Sequence, residues 1–320
     1  MTVMARLRSA AAFLWASDRP LTLVGGLMAT AAVLSMLGLA VDDRVIAGFP
    51  AWLKPLKFAL STGIYCLTLA WIFSYLPDWR RTRRWVSLIT AVVIVLEVGI
   101  IDFQAWRGTT SHFNVSTPGN AMLFGVMGMG IVTQTLASIF VAIALWRQRF
   151  ADPVMGWALR LGMTITIAGA TIGGLMTQPT TAQLAEVRST HRMTVSGAHS
   201  VGGPDGGPGL VGTGWSSEHG DLRVSHFLGL HAIQALALVA LFLRRRQLPT
   251  DRAVRAIQAA AVSYMALVAL FLWQALSGES VVHPGASMQA LAAAWIALTV
   301  ILAWSGLARR LSTPDAVLRS

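Results

Sequence analysis

The chain has almost none of the residues from which soluble and secreted folds are built. It has 320 residues but one cysteine, Cys66, so an intrachain disulfide and any CxxC or zinc-finger spacing are excluded. Charged residues make up only 12% of the chain, against 55% hydrophobic. Soluble domains carry about twice that charged fraction. Phosphate-loop spacing and the HExxH and HxxxH metal-binding spacings are missing as well. The apolar runs show no period-two alternation, and they are too long for barrel strands. No repeat of about 20–50 residues marks a solenoid.

Long apolar runs are what the chain does have. Segments able to cross about 30 Å of hydrocarbon lie at 21–40, 58–76, 86–106, 121–145, 156–178, 223–243, 254–276 and 287–307. They predict one all-α domain over residues 1–320, a polytopic bundle of eight transmembrane helices. Residues 1–20, with Arg6 and Arg8 before an alanine-rich stretch, read as an uncleaved amphipathic segment on the inner surface. Residues 179–222 form the one long loop. Its middle, SGAHSVGGPDGGPGLVGTG, is rich in glycine and proline and predicts a mobile loop or lid.

The basic excess, 25 Lys+Arg against 14 Asp+Glu, is arranged by side. Arg80, Arg81, Arg83 and Arg84 follow span two, and Arg147 and Arg149 follow span four. Arg244, Arg245, Arg246, Arg252 and Arg255 separate spans six and seven, and Arg309, Arg310 and Arg319 end the chain. With Arg6, Arg8, Arg19 and Arg160 they put both termini in the cytoplasm of a bacterial inner membrane, and they argue against a nucleic-acid role. Lys54, Lys57, Arg44, Arg107, Arg188, Arg192 and Arg223 fall on the other side. All seven histidines fall there too, in outer loops or outer half-helices.

Ionisable groups inside hydrocarbon are costly and face a bundle interior or a hydrated cavity. Glu97 and Asp102 in span three and His226 and His231 in span six are such groups, and they are the first candidates for chemistry. At about 1.5 Å per residue, Glu97 and His231 lie roughly 13 Å inside the outer boundary, and Asp102 and His226 about 6 Å inside. Antiparallel spans would set Glu97 level with His231 and Asp102 level with His226, across a pocket opening outward between spans two, three, four and six. Lys54, Lys57, Arg107, Glu218, His219, Asp221 and Arg223 would line its entry, and His112 stands near its rim. Gly169 and Gly173 form a small-residue stripe on span five, suited to packing within the monomer or, alternatively, to an oligomer seam. His191, His199 and His283 read as loop residues.

The runs WLKPLKF, RGTTSHFN and GDLRVSHFLGLH resemble those of a family of uncharacterised bacterial multi-pass membrane proteins, over the outer ends of three spans. The layout of eight spans with outer histidines is also similar to haem A synthases, although the histidine motifs of that family are absent here. Neither resemblance implies a catalytic role for a named residue. Three functions stay open. In the first, His226, His231 and Glu97 hold a transition metal, or His226, His231 and His112 a haem, with Glu97 and Asp102 as catalytic or orienting carboxylates. The second is a proton-coupled carrier of a small anionic solute. The third is an accessory or sensor protein whose buried polar groups fix helix packing.

Overall fold

A computed structural model describes residues 2–308, and the arginines at 309, 310 and 319 lie outside the described residues. The chain folds as an all-α bundle. Its long helices are α2 (Arg19–Val41), α3 (Leu53–Phe73), α4 (Arg80–Trp106), α5 (Pro118–Arg147), α6 (Pro153–Met176), α10 (Thr250–Leu276) and α11 (Ala286–Ala308). Two shorter helices, α8 (Leu222–Leu230) and α9 (Ala232–Arg245), meet at a bend of 47° and together complete an eighth membrane-length segment. Large apolar side chains such as Leu34, Val132, Phe140 and Ile301 stay exposed on the outside of the bundle. A surface so apolar is unstable in water and suits lipid. The protein is a multi-pass membrane protein.

Chemistry at the helix ends explains where the segments start. Asp18, Thr117 and Asp152 each cap a helix that has proline in its first turn, accepting from the backbone N–H of Leu21, Asn120 and Val154 respectively. α3 begins five residues before the apolar run at 58–76. Lys54 and Lys57 therefore sit on the first turns of the helix rather than in a preceding loop. At the arginine-rich end, α1 (Val3–Ser17) packs on α2 and α3, and none of its residues is buried. The Asp18 carboxylate accepts from Ser87 at 2.7 Å, and Arg83 donates to the Ser17 carbonyl at 2.7 Å. Together they pin the α1–α2 corner to α4.

Packing centres on α6, which touches α5, α8, α9 and α10. Its small residues make this closeness feasible. A Cβ added at Gly169 would come 2.5 Å from the Gly229 backbone, and one added at Gly162 would come 2.8 Å from the Ile233 Cα. The Gly169/Gly173 face is thus covered inside the monomer by the broken span, and it is not free to form an oligomer seam. Replacing Gly169 by Ala is expected to cost about 1–3 kcal/mol by overpacking, whereas Gly174→Ala, with nothing within 4 Å of its added Cβ, should leave thermal stability in detergent unchanged.

Candidate functional site

Span six breaks where its backbone is held from outside. The Thr166 hydroxyl of α6 accepts from Ile233 N–H at 3.2 Å and lies 3.3 Å from the Leu230 carbonyl, to which it donates. The Tyr264 hydroxyl donates to the Leu228 carbonyl at 2.7 Å. Backbone groups freed by a bend inside lipid need such partners. His231 occupies the junction, with its Nε2 3.4 Å from Ser61 Oγ on α3. One turn nearer the loop-capped end, His226 Nδ1 donates to the Gly169 carbonyl at 2.8 Å, so in the neutral ring Nε2 carries the lone pair. A Cβ at Gly173 would come within 3.0 Å of that imidazole.

The long loop, expected as a mobile loop or lid, packs over the helix ends as a cap. After α7 (Thr181–Thr190), closed at its start by the Thr180/Gln183 capping box, the short strand Ser200–Val201 pairs antiparallel with Gly220–Asp221. Glycine here permits close contact rather than looseness. A Cβ at Gly220 would meet the Ala275 carbonyl, and one at Gly203 would meet the His219 ring. Asp221 is 2% exposed; it caps α8, accepts from Ser216 N–H at 2.8 Å and pairs with Arg223 at 2.6 Å. Arg223 also donates to the Gly214 carbonyl at 2.6 Å, and Lys57 Nζ donates to the Thr213 carbonyl at 2.6 Å.

Beneath the cap a polar cluster forms. Glu97, 2% exposed, lies 3.4 Å from His112 Nε2, an approach not aligned as a hydrogen bond, and its Oε1 has no hydrogen-bond partner. His112 is walled by Phe58, Phe113 and Phe124. His199 lies against the Phe113 ring, 4.8 Å between centroids, with Nδ1 3.0 Å from Asp205 Oδ2. The Lys54 ammonium is 5.8 Å from the Phe58 ring centre and interacts electrostatically with Glu97. Burial holds the His112 imidazole well below its ordinary 6.5, and the positive fields of Lys54, His199 and His226 push the same way. Burial also lowers His199, against the upward pull of its Asp205 hydrogen bond. Asp205 is itself held below its ordinary 3.8: burial opposes ionisation, but bonds from His199 and Ser200 outweigh it.

This arrangement corrects several expectations. The imidazole beside Glu97 is that of His112, from the loop after α4, and not that of His231. α4 packs on α2, α3 and α5, and His231 instead meets α3. Asp102 makes no recorded contact with His226, and its buried Oδ1 lacks a hydrogen-bond partner. Among the described residues no three His, Cys, Asp or Glu side chains are grouped to hold a metal ion, so the set His226, His231 and Glu97 does not form. His226 and His231 turn to different helices rather than facing each other across a haem. Surface depressions lie at the arginine-rich end, around Asp78, Trp79 and Arg147.

The entry residues divide in the same way. Lys54 points to the cluster, while Lys57 and Arg223 hold the cap. Arg107 is committed to Gln104 at 2.8 Å and Asn120 at 3.1 Å, which secures the start of the α4–α5 loop. Glu218 is exposed and lies 4.0 Å from His219. His199 and Asp205 were not legible as site residues, because only the fold of the cap brings AHSVGGPDGG over Phe113. Thr166 and Ser61 carry no sequence signal at all.

No family model matches the chain, and neither a curated protein nor a solved structure matches it.

Two outcomes test this geometry. Thr166→Val keeps the shape but removes both bonds at the break, and should lower stability by roughly 1 kcal/mol in chemical or thermal unfolding. The lowered histidines give a signed pH dependence. The unfolded chain takes up protons below 6.5 while folded His112 and His199 do not, so stability is complete above that value and declines as pH falls through it. Melting in detergent from about pH 8 to about pH 5 should show this decline, and it should shrink in the His112→Gln/His199→Gln double variant.

Proposed function

We propose that the protein is a membrane carrier that couples the passage of a small anionic solute to protons. The observation carrying this reading is the interruption of span six at His231, about 13 Å inside the membrane by helical rise, with a titratable ring facing the hydroxyl of Ser61. Discontinuous helices near the midplane are where carriers place their solute and ion sites. Span six reads as an ordinary helix in sequence, so the break is support that only the fold supplies.

The surrounding residues suit the role. Lys54 gives a positive group next to the buried Glu97 carboxylate, and His112 adds an imidazole that stays neutral at ordinary pH. When protonated, Lys54 attracts an arriving anion. Proton uptake at Glu97 and anion arrival at Lys54 would then support each other, because each offsets charge left by the other. The cap lies over the cluster and is held there by Lys57 and Arg223. Among the described residues no three His, Cys, Asp or Glu side chains converge, so the metal-centred alternative has no ligand set to rest on.

Purified full-length protein in vesicles with a trapped pH dye tests the reading. External inorganic phosphate, acetate and a small sulfonate are added in turn. Interior acidification by at least one of them is expected, and Glu97→Gln and His231→Ala should each slow it by about ten-fold or more. Acidification no faster than in protein-free vesicles for every anion would sink the carrier reading.

A further inference from the structure

The face of α3 below the cluster is polar along most of the helix. Lys54, Lys57, Ser61, Tyr65 and Thr68 follow one another at steps of three or four residues, which places them on one side of a helix. The file runs about 21 Å along the axis. Neighbouring segments bring polar groups to meet it. Ser61 faces His231 of the broken span at 3.4 Å. The Tyr65 hydroxyl accepts from Gln134 Nε2 at 3.1 Å and lies 3.1 Å from Ser138 Oγ, both on α5. Thr68 accepts from Gln234 of α9 at 3.4 Å. Leu60 and Ile64, one position round the helix, are half exposed on the lipid side.

Two acceptors in this file are left over. Gln134 is 8% exposed, and its Oε1 has no hydrogen-bond partner; the buried Gln234 Oε1 lies near the His231 ring but outside hydrogen-bond geometry. A buried amide oxygen without a partner is strongly unfavourable in an apolar medium. Buried polar groups in such positions are normally met by ordered water.

The file also has a defined end. Continuing at the same spacing, α3 reaches Trp71, and the turn after it reaches Tyr75. These rings meet edge to face at 5.2 Å, and Tyr75 lies 6.2 Å from Phe150. Leu69, Ile72, Phe73 and Leu76 around them are completely buried. The polar face thus stops at an aromatic and aliphatic plug near the arginine-rich end.

We propose that α3, α5 and α9 enclose a file of water that relays protons from the Glu97–His112 cluster past His231 to Thr68, closed at its far end by Trp71, Tyr75 and Phe150. The unpartnered Gln134 and Gln234 oxygens are the acceptors that bind this water. What the file serves rests on the carrier reading; that it is wet does not.

Thiol accessibility reads the water directly, since the reactive thiolate forms in water and not against lipid. In a Cys66→Ala background, Ser61→Cys, Ser138→Cys, Leu60→Cys and Ile64→Cys are each placed in the full chain in sealed vesicles. A small charged methanethiosulfonate is then applied from the loop-capped side. Modification at Ser61→Cys and Ser138→Cys is expected to be about ten-fold or more faster than at Leu60→Cys and Ile64→Cys. Adding Tyr75→Ala should let Thr68→Cys react from the opposite side. Equal slowness at all four positions overturns the proposal, and Ser138→Cys decides it alone if Ser61→Cys does not fold. Reactive file positions in a protein without anion-linked proton flux would keep the file and remove the carrier; flux with unreactive positions would do the reverse.

Discussion

Contact between the backbones of α6 and α8 is the constraint from which the rest of the arrangement follows. Gly169 and Gly229 leave no room for a side chain between the two helices. That closeness delivers the Thr166 hydroxyl to the bend and the Gly169 carbonyl to His226. A larger residue at either glycine would separate the helices and strand the backbone groups at His231. Hydrocarbon has no water to replace those lost partners, so the break can exist only where α6 supplies them. The orientation of both span-six histidines is therefore a consequence of two missing side chains.

The cap is the second layer of the same economy. Asp205 and Asp221 within it, with Arg223 of α8 and Lys57 of α3, bond to cap backbone, and its glycines let that backbone lie directly on helix ends. It lies over a cluster that stays partly exposed, the His112, His199 and Asp205 side chains by 20%, 24% and 31%. Burial lowers the His112 and His199 pKa values, and Glu97 keeps an acceptor without a partner. The lipid-like interior and the closed cap thus act together, raising the cost of each unpaired charge and concentrating the polar groups that remain.

Much of the architecture was readable without coordinates, and the reason is length. An apolar run of about twenty residues has one stable form in a bilayer, so all eight segments were legible to within a few residues. Their ends were less so: Lys54 and Lys57 belong to α3 because the WLKPLK stretch continues the helix beyond its hydrophobic run. Charge bias likewise gave an orientation from arginines alone. The site was legible only as a set of depths. Equal depth put Glu97 with His231, but depth says nothing about which helices are neighbours, and α4 neighbours α3 and α5. The loop imidazole of His112 filled the place assigned to His231.

By itself, the sequence determined that this chain lives in a membrane, which segments are long and apolar enough to cross it, and that its histidines gather toward one face. Those properties depend on hydrophobicity and charge summed along short windows, and no partner is needed to define them. The tertiary structure alone decided that span six breaks at His231, that the glycine-rich loop is a packed cap, and that Glu97 meets His112. Each of these depends on a group from a distant segment, Thr166, Ala275 or Phe58, arriving within a few ångströms, and no local pattern encodes such an arrival.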